Sequence, residues 1–368
     1  PPDSPPLTPT PPFRLLLPFE RELFTKAGVQ STFVGHPALD DPIPWGEVKP
    51  WGEVDSPPST SAAAASAASA ASAASAASAE RRGAAGRSRR SAAESMRAKL
   101  QLNEEALVVS LLPGSRAQEV SMLLPSLLDS LPLIASSLRP KRLHCVLPIA
   151  PGMRDMIEIA IERWCAGGGD AVGTRDAAGT GDAVGGDDGS ATQRLSRAHF
   201  SLVDSSERYE AFAASQLALA CCGTVNVELL RAGVPQVAVY TCSRLSAWLI
   251  RSVLRPSISH ATLPNILLNY RRKQAGVHLG VHHDAEIAHL DEEIIPELLF
   301  ERVSAGEIAA SALHLLTSSD AAREQITRGQ PLLEQLRPTD ERGAPARSAA
   351  VAARRILELL HRQADGHT

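Results

Sequence analysis

Thr224 and Glu228 stand one helical turn apart behind Gly223, in the stretch 217–240, LALACCGTVNVELLRAGVPQVAVY. Such a set could grip a phosphorylated ribose. A helix that opens at Gly223-Thr224 presents free backbone N–H groups and the positive end of its dipole to a phosphate. A carboxylate one turn further in is placed to accept both ribose hydroxyls, so the spacing suits a nucleoside diphosphate. The same pattern also occurs in ordinary doubly wound architecture, where Glu228 would simply face solvent.

A second stretch, 107–120, LVVSLLPGSRAQEV, offers a matching loop. Gly114 lets backbone approach an oxyanion, Ser115 can cap the following helix, and Arg116 offers a planar fork for a phosphate. Alone, an arginine at a turn reads equally well as a solvated surface charge. Two such loops suit one ligand.

The elements that must position these residues follow from the apolar runs. Strands are expected at 107–112, 143–148, 199–203, 217–221 and 236–240, with helices between them at 119–136, 153–164, 207–214 and 225–231. Gly233 and Pro235 stop the last of these helices. This alternation builds a parallel sheet covered on both faces, with ligands outside the carboxyl ends of the strands, where both loops lie. Upstream, a strand at 13–19, a helix at 20–27 and a strand at 32–34 read as the tail of an α/β domain. Downstream of Tyr240 the pattern is helical, at 305–316, 321–336 and 349–361.

Taken together, these residues resemble lipid-A-disaccharide synthases, inverting glycosyltransferases of the glycosyltransferase-B fold. The resemblance runs in order through LLPFERELF (16–24), FVGHPALD (33–40), LLPGSRAQEV, CCGTVNVELLRAGVPQVAVY, LPNILL (263–268) and IIPELLF (294–300). Two positions depart from it. Cys222 stands where the family usually has Ser, and Phe300 where it commonly has Gln, which removes an amide that could orient a polar group.

The resemblance implies transfer of a diacylated glucosamine from its UDP derivative to a lipid monosaccharide phosphate, giving a β-1,6 disaccharide and UDP. It implies UDP and phosphate contacts at Gly114, Ser115, Arg116, Gly223, Thr224 and Glu228, with further contacts at Asn265, which could instead brace its loop, and at Glu297. It implies no cofactor, and no residue is assigned as the catalytic base, which is expected in an N-terminal domain that this chain would lack. On that expectation, the chain alone forms no disaccharide. Rival readings are another UDP-sugar glycosyltransferase or a UDP-N-acetylglucosamine epimerase of the same fold, and a noncatalytic nucleotide-binding or scaffold protein.

Four segments are expected. They are a domain tail and hinge at 1–44, an Ala/Ser/Arg insert at 45–97, a Rossmann-like UDP-sugar domain at 98–338 interrupted by a second insert at 166–195, and a C-terminal helix and tail at 339–368. The inserts carry too few large apolar residues to join a core. Arg81, Arg82, Arg87, Arg89 and Arg90 could touch an anionic surface, but without interleaved aromatics they read as a solvated loop. Asp170, Asp176, Asp182, Asp187 and Asp188 lack calcium-loop spacing, and no metal is assigned.

A net charge of −4 and a pI near 6.3 in 368 residues point to no nucleic-acid partner. Cys145, Cys165, Cys221, Cys222 and Cys242 show neither zinc spacing nor a secreted disulfide framework, which fits a reducing compartment. No apolar run approaches the roughly 20 residues needed to span a bilayer. Membrane contact is therefore expected to be peripheral, on the cytoplasmic side in a bacterium or within an organelle in a eukaryote. The segment 243–255 would supply it if its Leu245, Trp248 and Leu249 side met acyl chains, or would dock on its own domain with arginines snorkelling outward. The helix at 349–361 would pack on a partner domain or a second subunit, allowing a homo-oligomer. His36 reads as a turn-stabilising residue.

Overall fold

The computed structural model describes residues 13–45, 89–139, 142–167, 195–241, 260–274, 293–300 and 303–364. These residues fall into two compact units. The larger comprises residues 43–266 and 291–327, and the smaller comprises 1–42, 267–290 and 328–368.

The larger unit is a six-stranded, wholly parallel sheet. Its strands are β3 (Leu107–Leu112), β4 (Leu143–Ile149), β5 (Phe200–Asp204), β6 (Leu217–Cys221), β7 (Gln236–Tyr240) and β8 (Glu297–Leu299), in the spatial order β5-β4-β3-β6-β7-β8. The helices are α2 (89–99), α3 (Ala117–Ser137), α4 (Arg154–Cys165), α5 (Arg208–Ala214), α6 (Thr224–Arg231), α7 (Leu263–Gln274), which continues into the smaller unit, and α8 (Ala305–Thr317). This is the doubly wound α/β fold that the alternating pattern called for.

Burial on both faces explains why the strands read as continuous apolar runs rather than as alternating ones. Val109, Leu111, Cys145 and Leu147 face one layer, where Val120, Leu123, Leu124, Leu127 and Leu131 of α3 pack with Ile308 and Ala312 of α8. Val108 and Val146 face the other, against Met96 of α2 and Ala211 and Ala214 of α5. Each fully buried leucine contributes roughly 1.5–3 kcal/mol. The 21-residue α3 is, by length and composition, the one helix among the described residues that could cross a bilayer, although Gln118, Glu119 and Asp129 interrupt its apolar run. Its apolar side is taken up by the core of this unit instead.

Two elements go beyond the sequence reading. Helix α2 starts inside the segment expected as insert at 45–97, with Met96 2% exposed. Strand β8, read from sequence only as part of a motif, pairs with β7 as Ala238 to Glu297 and Tyr240 to Leu299. The segment 243–255, nearly all of the insert at 166–195, and Arg81, Arg82 and Arg87 lie outside the described residues.

The smaller unit pairs β1 (Phe13–Leu15) with β2 (Ser31–Phe33) in parallel across α1 (Glu20–Lys26), and carries α10 (Ser348–Ala364). Helix α9 (Ser319–Leu333) starts in the larger unit and ends in the smaller one. Within the smaller unit, Asp40 caps α10, its carboxylate accepting from the N–H groups of Ser348 at 2.7 Å and Ala349 at 2.8 Å. Gly35, at φ +85°, leaves room for Pro338, whose Cδ would stand 2.3 Å from a Cβ there. His36 does hold its turn: Nδ1 accepts from the Ala38 N–H at 3.2 Å, and burial lowers its pKa.

Candidate functional site

The strand order reverses direction between β3 and β6. From β3 the chain winds outward through β4 and β5, and from β6 it winds the other way through β7 and β8. In such sheets the loops at that point splay apart and leave a crevice beyond the carboxyl ends of the strands. The register of Leu112 with Ala220 sets the loop 113–116 beside the loop 222–224. Gly114, Ser115, Arg116, Gly223 and Thr224 are thus brought to one place.

After β3, Gly114 adopts φ +124°, a conformation that disfavours side chains, and a Cβ there would lie 2.7 Å from both Cβ and Oε2 of Glu119. Ser115 does not cap α3 with its hydroxyl. Arg116 occupies the cap position without a side-chain cap bond, and it is the Glu119 carboxylate that folds back to accept from the Ser115 N–H at 3.1 Å and from the Arg116 guanidinium at 2.6 Å. Glu119 was not singled out from sequence, although a carboxylate three residues after a helix cap is the usual signal for such a return. Its carboxylate therefore rests on the donors expected to meet a phosphate. The Arg116 side chain is otherwise 80% exposed.

After β6, Gly223 is extended, and a Cβ on it would meet nothing within 4 Å, so the space above the α6 N-terminus is open. The Gly223 N–H donates to Asn226 Oδ1 at 2.8 Å. Asn226 is held from behind by a buried amide chain that sequence reasoning missed. Its Nδ2 donates to Gln236 Oε1 at 2.9 Å, while Gln236 exchanges backbone bonds with the Gln325 amide at 2.7 and 3.0 Å. Fully paired amide networks of this kind rigidify what they support. Glu228, with its side chain 15% exposed, lies 3.5 Å from Nε of Arg208 at the start of α5, and that guanidinium stacks on the Tyr209 ring at 4.6 Å. Burial is the main cause that raises the Cys221 pKa to about 11, with Glu119 adding to it, and burial likewise raises that of Cys222, so both remain thiols at neutral pH.

Asn265 and Glu297 are placed beneath this surface, not on it. Both are almost fully buried. Asn265 Nδ2 donates to the Ile295 carbonyl and to Glu297 Oε1, each at 2.8 Å, and its Oδ1 accepts from the N–H groups of Ile294 and Ile295. Glu297 also accepts from the N–H groups of Ala261 and Thr262. Desolvation alone would raise the Glu297 pKa, but the His260 ring 3.7 Å away and the hydrogen bonds from Thr262 and Ala261 together hold it below its ordinary value. The pair braces residues 260–262 and the first turn of α7 against β8 and the residues before it, so Asn265 does brace, though from a helix rather than a loop. Phe300, at φ +55°, sets its ring edge-on to Tyr240 at 5.8 Å.

Comparison with known proteins adds the following. The sequence model of the family described as Lipid-A-disaccharide synthetase matches residues 190–274. The lipid-A-disaccharide synthase of Rhodospirillum centenum is 26% identical over 342 residues, covering 93% of this chain and 59% of that protein. The Synechocystis enzyme of the same name is 26% identical over 348 residues, covering 95% and 61%. The chain thus spans about three-fifths of the length of these relatives. Among solved structures, an Anabaena protein in complex with UDP-glucose aligns over 74% of this chain and 53% of its own, with 12% identity and a TM-score of 0.38.

Proposed function

We propose that this chain, a relative of the lipid-A-disaccharide synthases along nearly all of its length, carries the donor-binding part of such a glycosyltransferase and holds a UDP-linked, diacylated glucosamine at the β3/β6 crevice. The observation that carries this reading is topological: the two loops read from sequence as phosphate-binding follow the two strands that flank the reversal of the sheet.

The chemistry follows from the groups present. In the inverting transfer, the acceptor hydroxyl attacks the anomeric carbon as the bond to the UDP oxygen breaks, and a base takes the hydroxyl proton. Charge builds on the departing diphosphate, where preorganised donors lower the barrier most. In this proposal the N-terminus of α6 at Thr224, together with the Ser115 N–H and the Arg116 guanidinium once Glu119 gives them up, would meet that charge, and Glu228 would accept from the ribose hydroxyls. The base is proposed to come from outside the residues named here. The acceptor is proposed to be a lipid monosaccharide phosphate, and the acyl chains of both substrates would bring the chain to a membrane surface.

Titrating the full chain with UDP and with a UDP-sugar, and repeating this with Arg116→Gln, tests the reading. Saturable binding that weakens by about tenfold or more in the variant supports it. Equal heats from UDP and from uridine, unaffected by the substitution, would remove the diphosphate from the crevice.

A further inference from the structure

The amino-terminal edge of the same sheet holds a cavity of about 440 Å³ between the loops that precede β6 and β7, helix α2 and the first turns of α9. Ala93, Ala213, Pro235, Ala322 and Ile326 make an apolar wall, and three arginines, Arg89, Arg90 and Arg323, complete it. Two of these have acidic partners: Arg90 pairs with Glu94 at 2.8 Å and Arg323 with Asp320 at 3.3 Å, and both carboxylates lie on the exposed surface.

Arg89 differs. It is set into the wall, and its guanidinium donates to the Gly233 carbonyl at 3.3 Å, with no carboxylate partner among the described residues. A helix-end carbonyl accounts for one of its five donors. The carbonyl leaves the positive charge of this half-buried guanidinium unneutralised, and the partial burial lowers its pKa. The N-terminal turns of α9, with Ser319, Ala322 and Arg323 on the cavity, add the positive end of a helix dipole. A cavity of this size, apolar in its walls and cationic at one side, has the make-up of a small-ligand site.

We propose that this cavity binds an amphiphilic oxyanion, an alkyl phosphate or alkyl carboxylate, whose head meets Arg89 and whose chain lies along Ala213, Ala322 and Ile326. The site is separate from the β3/β6 crevice, since it opens at the opposite ends of the strands, and it does not depend on the reading given to that crevice.

The test is calorimetric titration of the full chain with decyl phosphate, decanoate, inorganic phosphate and decanol, each below its aggregation threshold, with a parallel UDP titration. Saturable binding of decyl phosphate or decanoate is expected, with decanol and inorganic phosphate each at least about tenfold weaker. Their ranking identifies the head group. Arg89→Gln should weaken the anion by about tenfold or more while UDP binding is unchanged. Arg323→Gln, at a half-exposed position, supplies a second variant that spares the fold and should weaken the anion severalfold. Decanol binding as tightly as decyl phosphate, undiminished anion affinity in both variants, or displacement of the anion by UDP would each overturn the proposal.

Discussion

Replacing Glu228 by Gln separates a ligand-binding carboxylate from a merely structural one. The side chain is 15% exposed and has the Arg208 guanidinium 3.5 Å away. If pairing with Arg208 were its whole role, Glu228→Gln would cost stability on the scale of a partly exposed ion pair, about 1 kcal/mol, or some 2–4 °C in Tm for a domain of this size. If it accepts from ribose hydroxyls, the loss appears in binding instead: charged hydrogen bonds contribute roughly 1.5–3 kcal/mol, so UDP affinity should fall about ten- to a hundredfold. Thermal melts and UDP titrations of Glu228→Gln and Arg208→Gln, run side by side, read both effects. The expected pattern is a similar small Tm loss in the two variants and a much larger loss of UDP affinity in Glu228→Gln. Unchanged UDP affinity in a folded Glu228→Gln protein would refute the ribose assignment.

Glu119→Ala frees the Ser115 N–H and Arg116 from the carboxylate that now occupies them, so UDP should bind severalfold more tightly by titration, and weaker binding would mean that Glu119 instead holds Arg116 in place. Gly114→Ala forces a side chain into φ +124° against Glu119, costing about 1–3 kcal/mol, and an unchanged urea midpoint would contradict this. Asp40→Ala removes the cap of α10 and should cost about 1 kcal/mol, with faster amide exchange at Ser348 and Ala349 as its local signature. Buried His144, 2.9 Å from the Ser201 hydroxyl, has its pKa lowered to about 4, chiefly by burial and then by the charges of His199 and Arg97. Its stabilising contribution is complete above the unfolded value of 6.5 and is lost as pH falls towards 4, a change of about 3 kcal/mol. Denaturation of His144→Gln should be flatter across that window, and a slope equal to that of the parent would refute the assignment.

The fold was largely legible because its central strands are buried on both faces and announce themselves as unbroken apolar runs. Leu107–Leu112, Leu217–Cys221 and Gln236–Tyr240 lie where those runs predict. Strand β8 was missed because three residues between Pro296 and Phe300 are too few to carry a period, and only pairing with β7 makes them a strand. The start of α2 was hidden by the Ala/Ser composition before it, which masks the helical spacing of Ala92 and Met96. The turns that carry Gly114, Arg116 and Gly223 were legible as the ends of strands β3 and β6. The Asn226, Gln236 and Gln325 chain was not, since three polar residues far apart in sequence give no local sign that they will share one buried space. Asn265 and Glu297 were read as ligand contacts for the converse reason: sequence gives residue type without depth.

The cap that Asp40 places on α10 joins residues 308 positions apart, in a unit assembled from three separate stretches of chain. Synthesis at roughly 5–20 residues per second puts an interval on the order of 15–60 s between the emergence of Asp40 and that of Ser348. Through that interval Leu15, Val34 and Leu39, buried in the finished protein, are without the stretch 328–368 that belongs to their own unit. The larger unit, by contrast, can close its sheet as soon as β8 appears. The larger unit can thus have all of its strands while the smaller one still waits for its last stretch, and those waiting apolar residues are where a holding chaperone would act.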